Sequence, residues 1–294
     1  MTKQFSARYR SWLFAPGDSD RKIEKALGGA ADQVILDLED AVAPGEKDAA
    51  RSTVAAALAA AGEGRHRIWV RINPLDSGIA EDDLAAVVPA RPAGIMLPKS
   101  QSGEDMHRLD ALLGDLEAAH GIDPGSLLLH PLVTETAASM FATGTYRDAP
   151  RLAAMSWGAE DLADSIGALD NMDEEGRYRP TYELARSLCL LGAAAAAVPA
   201  IETIMGDFRD LAGLKARAER VRQDGFRGML AIHPAQIDVI NAAFSPSEDE
   251  IQEAREIVAL FEANPGVGAI SGPRGMLDRP HLSRARQLLA LAED

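Results

Sequence analysis

The stretch DQVILDLED, residues 32–40, decides the fold. Val34, Ile35, Leu36 and Leu38 make an apolar run too short for a typical helix, and it closes in three acids, Asp37, Glu39 and Asp40. A run of this kind, bounded by turn signals, reads as a parallel strand buried on both faces. Working outward, the pattern repeats along the chain. RSWLFAPG (10–17) precedes it, IWVRIN (68–73) carries Arg71 near its end, and GIMLPK (94–99) ends in Lys99. LLLHPLVTE (127–135) ends in Glu135 and LAAMSWGAED (152–161) in Glu160 and Asp161. VPAIE (198–202) ends in Glu202, and MLAIHP (229–234) carries His233.

Helical spacing fills the intervals: residues 19–29, 46–61, a weaker 81–88, 103–120, a short 136–143, 182–197, 207–224 and 235–243. In 103–120 the apolar positions Met106, Leu109, Leu112, Leu113 and Leu116 fall on one helical face. Eight strand–helix units predict an α/β fold, a (β/α)8 TIM barrel, with the polar strand ends gathered on its active face. The barrel is expected over 1–245, followed by a C-terminal helical extension over 246–294. The extension opens with Ser247 and Glu250 in capping-box spacing. NPGVGAISGPRGM (264–276) then reads as an exposed turn, hairpin or mobile connector, and a last helix is expected over 281–292.

Composition narrows the functional class. The chain has 294 residues, 47% hydrophobic and 26% charged, and a net charge of −15. That charge argues against nucleic-acid and anionic-membrane partners, which need a basic surface. The one cysteine, Cys189, lies in an Ala-rich helical stretch. With no disulfide, no signal-peptide pattern and no apolar run long enough to span a bilayer, a cytoplasmic protein is expected.

The strand-end residues suggest chemistry. Glu135 and Asp161 on neighbouring strands can share Mg2+, which keeps several waters and needs only one or two protein carboxylates. The competing reading pairs them with Arg or Lys, or makes them helix caps. Asp37 and Glu39 tip the balance, because that many acids packed without a cation would raise one another's pKa. Arg71 has a planar fork that suits a substrate carboxylate, and suits Asp37 or Glu39 equally well as counter-ions. Lys99 could form a Schiff base with a carbonyl substrate or act as a plain charge partner. His233 could be a general base or a metal ligand, but a lone histidine is more often hydrogen-bonded structure, so it is expected only to line the active face. Ser19, Arg21, Lys22 and Lys25 gather positive charge for an anionic ligand tail, or form a solvated helix face.

These segments together carry a resemblance. RSWLFAPGDSDRKIEKAL, ADQVILDLEDAVAPGEKDAAR, VRINPLDS, GIMLPKS, TETA, GAEDLADSIG and AIHPAQI occur in order, and GMLDRPHLSRARQLL follows near the C-terminus. Over nearly the whole chain they resemble the citrate lyase beta-subunit-like family, HpcH/HpaI aldolase-like, which includes malyl-CoA and citramalyl-CoA lyases. The resemblance implies Mg2+ on Glu135 and Asp161 and a keto-acid grip by Arg71. It implies a CoA site at Phe14, Ala15, Lys25, Ile232 and His233. It also implies that Asp278 enters a neighbouring subunit's site and handles the proton at the acyl α-carbon, in a homotrimer or homohexamer. The candidate catalytic set is then Arg71, Asp278, Asp37 and Glu39, with Glu160 as a further substrate contact. The implied reaction is Mg2+-dependent cleavage of a 3-hydroxyacyl-CoA to acetyl-CoA and a 2-oxo acid, or the reverse. The alternatives are a citrate lyase beta subunit acting on a citryl carrier-protein thioester, and a Schiff-base aldolase using Lys99. Three departures bear on ligand choice: Ser19 where relatives often have arginine, Ser77–Ala80 in place of a Trp-Gly pair, and Glu202 where an aspartate is usual.

Overall fold

Within each strand the two-residue period of the pleat sorts side chains between the helices and the barrel axis. In the computed structural model, which describes residues 9–272 and 275–293, eight parallel strands use this period to close a barrel. They are β1 (Ser11–Pro16), β2 (Gln33–Asp37), β3 (Ile68–Arg71), β4 (Gly94–Leu97), β5 (Leu128–Val133), β6 (Met155–Trp157), β7 (Ala200–Glu202) and β8 (Gly228–Ala231). Each pairs with the next in sequence, and β8 returns to β1. The expected (β/α)8 architecture is therefore the observed one.

Trp12, Ile35, Trp69, Met96, Leu132, Ile201 and Leu230 form a buried cluster drawn from seven of the strands. Toward the amino end, Trp12 and Trp69 pack at 5.0 Å, and the His130 ring stands edge-on to Trp12 at 4.6 Å. The Trp69 ring crosses β4 so closely that a Cβ on Gly94 would collide with it, which makes glycine necessary there. Two residues further along the same faces come charges: β2 runs Gln33, Ile35, Asp37, and β3 runs Trp69, Arg71. Asp37 and Arg71 are register partners. Alternation thus carries these two charged groups into the barrel mouth, one step beyond the apolar layer.

The helices are α1 (Asp20–Leu27), α2 (Lys47–Ala60), α3 (Ala80–Val87), α4 (Gly103–Ala119), α5 (Ala159–Ile166), α6 (Pro180–Ala195), α7 (Leu211–Asp224) and α8 (Ile237–Phe244). One expected helix is not formed. Residues 136–143 instead begin two 3-10 turns, Ser139–Phe141 and Thr143–Asp148. The Thr136 and Ser139 side chains exchange hydrogen bonds with each other's backbone, offering the chain an alternative to a helical turn. The unit after β6 has two helices, α5 directly behind GAED and the longer α6, in which Cys189 is buried.

The chain divides into two compact units, with the break between Ala243 and Phe244. The second contains α9 (Glu248–Ala263), an antiparallel hairpin of β9 (Ala269–Gly272) and β10 (Gly275–Asp278), and α10 (Arg279–Glu293). Its small core is Phe261, Leu277 and Leu282. The Ser247–Glu250 capping box is formed, with bonds of 3.2 and 2.8 Å. Of the Gly/Pro-rich stretch, 269–272 and 275–276 lie in the paired strands β9 and β10, 273 and 274 lie outside the described residues, and Leu277 on β10 joins this core. No helix among the described residues is long and apolar enough to cross a membrane.

Candidate active site

A cavity of about 330 Å3 opens at the carboxyl ends of the strands. Asp37, Asp40, Arg71, Glu135, Glu160 and Asp161 supply its charged lining, and Phe14, Leu132, Trp157, Ile204, Leu230 and Ile232 much of its apolar wall. Among the described residues Arg71 is the one basic side chain that lines it, against five acids.

Arg71 is held from two sides. Its Nε and Nη2 donate to the two oxygens of Asp37 at 2.7 and 2.6 Å, and Nη1 lies 2.8 Å from Glu39 Oε2. Phe14 stacks on the guanidinium with 4.8 Å between Cζ and the ring centroid. Burial alone would lower the Arg71 pKa, but Asp37, then Glu39 and Glu135, outweigh it and keep the group charged. Asp37 is also buried, which would raise its pKa. The Arg71 charge and the N–H groups of Glu39 and Ala41 bring it below the usual carboxylate value. The counter-ion role of Arg71 is therefore realised. Two of the five guanidinium N–H groups are spent in hydrogen bonds to Asp37 and the Glu39 contact is an ion pair, which leaves N–H groups for a ligand.

Glu39 is raised by burial, and Arg71 and Lys99 pull the other way. The Lys99 ammonium bonds Glu39 Oε1, and it lies 3.0 Å from Asp161 Oδ1 and 3.6 Å from Asp40. Burial would lower the Lys99 pKa, but Glu39 and then Asp161 raise it well above the ordinary lysine value. Lys99 is thus a charge partner held protonated, the state opposite to that of a Schiff-base amine.

Glu135 is different. It is 3% exposed, and no ion pair reaches it among the described residues. Its Oε2 accepts the Lys99 main-chain N–H at 2.6 Å. Burial, followed by the charge on Asp161, pushes its pKa up to about 8. The backbone around it is unusual: Thr134 has φ 61 and Lys99 φ 52, left-handed values that non-glycine residues rarely adopt. A Cβ on Gly158 would lie 2.5 Å from Glu135 Oε1, so glycine in GAED leaves room for this carboxylate. A buried acid without a cation, facing a second acid across an all-oxygen donor set, fits a hard divalent ion. No group of three or more His, Cys, Asp or Glu that could hold a metal ion converges among the described residues.

The remaining candidates fall in three places. Phe14 and Ala15 on β1 and Ile232 and His233 after β8 lie on neighbouring strands, with exposed Lys25 on α1. His233 Nδ1 accepts the Ala235 N–H at 3.1 Å, and its ring stacks on Phe208 at 4.4 Å. Glu160 Oε1 accepts from Asn171 at 2.9 Å. Asp278 belongs to the second unit, where Oδ1 meets His281 Nδ1 at 2.5 Å and its main-chain N–H at 3.4 Å, in the manner of a helix cap. The His281 contact lowers its pKa. Glu202 is not a lining residue. It is fully buried and takes bonds from Arg217 at 2.8 Å and the Trp157 indole at 3.2 Å, so it acts on the cavity only through Trp157. Sequence reading missed Trp157, Gly158 and Thr203 as lining. The first two sit inside the quoted strand-end motif, where the step from strand to helix was the available signal.

Residues 10–234 match the family model described as HpcH/HpaI aldolase/citrate lyase. A (3S)-malyl-CoA thioesterase of Cereibacter sphaeroides (strain KD131 / KCTC 12085) is 37% identical, covering 97% of this chain and 95% of that protein. The mitochondrial citramalyl-CoA lyase of Mus musculus is 33% identical over 96% of this chain and 86% of its own length. The crystal structure of CitE from Mycobacterium tuberculosis in complex with magnesium, acetoacetate and coenzyme A superposes with a TM-score of 0.80 at 31% identity, covering 98% and 99% of the two chains. The chain belongs to the HpcH/HpaI aldolase/citrate lyase family and is an enzyme of that lyase class.

Proposed function

We propose that the protein is a magnesium-dependent carbon–carbon lyase acting on a 3-hydroxyacyl-CoA of the malyl or citramalyl type. It would release acetyl-CoA and a 2-oxo acid, or catalyse the reverse condensation. The observation that carries this reading is Glu135: a buried carboxylate with no cation, beside Asp161 and across the same cavity from Arg71. Glu135 and Asp161 would hold Mg2+, which when bound supplies Lewis-acid polarisation and orients substrate oxygens.

Arg71, fixed by Asp37 and Glu39, offers its remaining N–H groups to the oxygens of the 2-oxo acid portion. Because Asp37 stays ionised, its part is to orient Arg71 rather than to deliver a proton. The hydroxyl proton passes to solvent as the bond between C2 and C3 of the acyl chain breaks and the hydroxyl carbon becomes the carbonyl of the 2-oxo acid. The electron pair of that bond passes to the thioester as an enolate, and Asp278, ionised at rest as Asp37 is, relays a solvent proton to that carbon. Phe14, Ala15, Lys25, Ile232 and His233 form the proposed CoA-binding rim. The apolar wall of the cavity excludes water from the enolate. Protonated Lys99 disfavours the Schiff-base alternative, and borohydride should trap no adduct.

Hydrolysis is a second reading, favoured by the 37% identity to a malyl-CoA thioesterase. One assay separates these possibilities: purified protein with a panel of hydroxyacyl-CoA thioesters, with Mg2+ and with excess EDTA, following free thiol and 2-oxo acid together. Oxo acid without thiol, lost in EDTA, is the expected result. Thiol without oxo acid identifies a thioesterase, and full activity in EDTA overturns the metal reading. Inertness toward CoA esters with activity on a citryl carrier protein identifies a citrate lyase beta subunit. The proposed reach of Asp278 into a neighbouring subunit of a homotrimer or homohexamer has its own test. Inactive Asp278→Ala and Glu135→Gln chains, mixed under subunit exchange, should regain partial activity. If mixing restores none, Asp278 is a cap for α10 alone.

A further inference from the structure

Lys99 touches both of the carboxylates assigned to the metal, by two different parts of the residue. Its main-chain N–H donates to Glu135 Oε2 at 2.6 Å, from a left-handed backbone with φ 52. Its ammonium lies 3.0 Å from Asp161 Oδ1 and, among the described residues, is the one cation paired with it. The same ammonium bonds Glu39 Oε1 and lies 3.6 Å from Asp40. The side chain is 30% exposed, so it has room to move, whereas Glu39 is held at 4% and is gripped by Arg71 as well. Asp40, at 3.6 Å and 63% exposed, is the loosest of the three contacts, and of the two close ones Asp161, 28% exposed, is released at less cost than Glu39. An ammonium and a divalent ion cannot both sit in contact with one carboxylate oxygen without strong mutual repulsion.

We propose that Lys99 is the resident stand-in cation of the metal site: its ammonium neutralises Asp161 in the metal-free protein and yields that carboxylate to the incoming ion, while its main-chain N–H keeps Glu135 aimed. The proposal rests on the reading that Glu135 and Asp161 hold the metal. It assigns Lys99 a positioning role that sets metal affinity rather than a covalent role in the reaction. Bringing an ordered charge of its own lets the site fold without metal, at the expense of competing with the ion.

The test is calorimetric titration of Mn2+ into the metal-free full-length protein, with thermal unfolding measured alongside. Lys99→Gln removes the competing charge and leaves the main-chain N–H. It should bind Mn2+ on the order of tenfold more tightly than wild type, a modest fraction of the unscreened charge–charge effect at this separation. The metal-free variant should melt lower than wild type and gain more from Mn2+. Lys99→Arg keeps the charge and grips a carboxylate with a fork, so it should bind Mn2+ more weakly than wild type. Equal or weaker binding by Lys99→Gln overturns the proposal, and if that variant does not fold, unchanged affinity in Lys99→Arg does so. Asp161→Asn is the control for the underlying reading. If it binds Mn2+ like the wild type, the metal assignment itself has failed, a result distinct from a failure of Lys99 alone.

Discussion

The two ends of the barrel handle charge in opposite ways. Around the amino ends of the strands, ion pairs are complete. Arg10 clasps Asp32 through bonds of 2.9 and 2.8 Å, and Arg151 holds both oxygens of Glu117 at 2.5 and 2.9 Å. Glu117 also accepts the N–H groups of Gly125 and Leu127. At the carboxyl ends, five acids line the cavity with one arginine, and one of the two buried ones, Glu135, has no cation. Buried charge at the first end is compensated internally and serves stability. At the second end Glu135, its pKa pushed up to about 8, has no cation and stays largely protonated near pH 7 until a ligand supplies positive charge.

That contrast can be broken from either side. The largest effect is expected from Glu135→Gln, which keeps the shape and an acceptor for the Lys99 N–H but removes the carboxylate proposed to hold the metal. Lyase activity should fall by about three orders of magnitude or more, since the metal's electrostatic contribution is lost. The melting temperature should not fall, because an uncompensated buried acid has been removed. A fully active Glu135→Gln enzyme would end the comparison at this end of the barrel. Arg71→Lys should cost on the order of 10²-fold in kcat/KM through lost orientation. It should also lower stability by about 2–4 kcal/mol, because Asp37 and Glu39 lose a fork that an ammonium cannot replace. Denaturant titration alongside kinetics measures both, and an unchanged stability would show that the pairing is not structural.

At the amino end the outcome should invert. Glu117→Gln breaks a pair whose carboxylate is fully buried and should destabilise by about 3 kcal/mol. The kcat/KM per folded molecule should stay within about twofold, since no lining residue of the cavity is touched. A large kinetic defect would mean that the two ends are coupled. The smallest effect concerns pH. His130 lies buried near the same end, its ring Nε2 2.6 Å from Ser156 Oγ, and burial lowers its pKa from 6.5 to about 3. Below pH 6.5 the unfolded chain takes up a proton that the native state refuses. The stability this neutral imidazole contributes is therefore complete above pH 6.5 and is lost progressively as pH falls toward 3. The slope reaches at most about 1.4 kcal/mol per pH unit. In denaturant titrations from pH 7 to 4, His130→Asn should show a shallower loss of stability than wild type. Equal slopes would mean that His130 is not held neutral.

Much of this was legible in the chain. DQVILDLED and its counterparts showed eight strands, because a strand buried on both faces must be apolar throughout, and their polar endings marked the active face. The helix expected over 136–143 was not legible in the same way. Thr136 and Ser139 fit a helical pattern, but their hydroxyl bonds to the backbone compete with it, and that competition is settled only in three dimensions. Glu202 shows the limit at the site: it ends a strand as Glu135 does, yet Arg217 and the Trp157 indole bury it as structure.

The sequence by itself determined the barrel, the carboxyl-end location of the acids and the family, because strand period, turn residues and motif order are local properties of the chain. Tertiary structure alone decided which acid goes without a partner. Asp37, Glu39, Asp161 and Glu135 read alike along the chain. Only closure of the barrel brings Arg71 onto the first two, sets the Lys99 ammonium against Asp161, and leaves Glu135 in a dry place with a single main-chain N–H. Burial and the distance to the nearest cation fix the charge state of a carboxylate, and neither is a property of its neighbours in sequence.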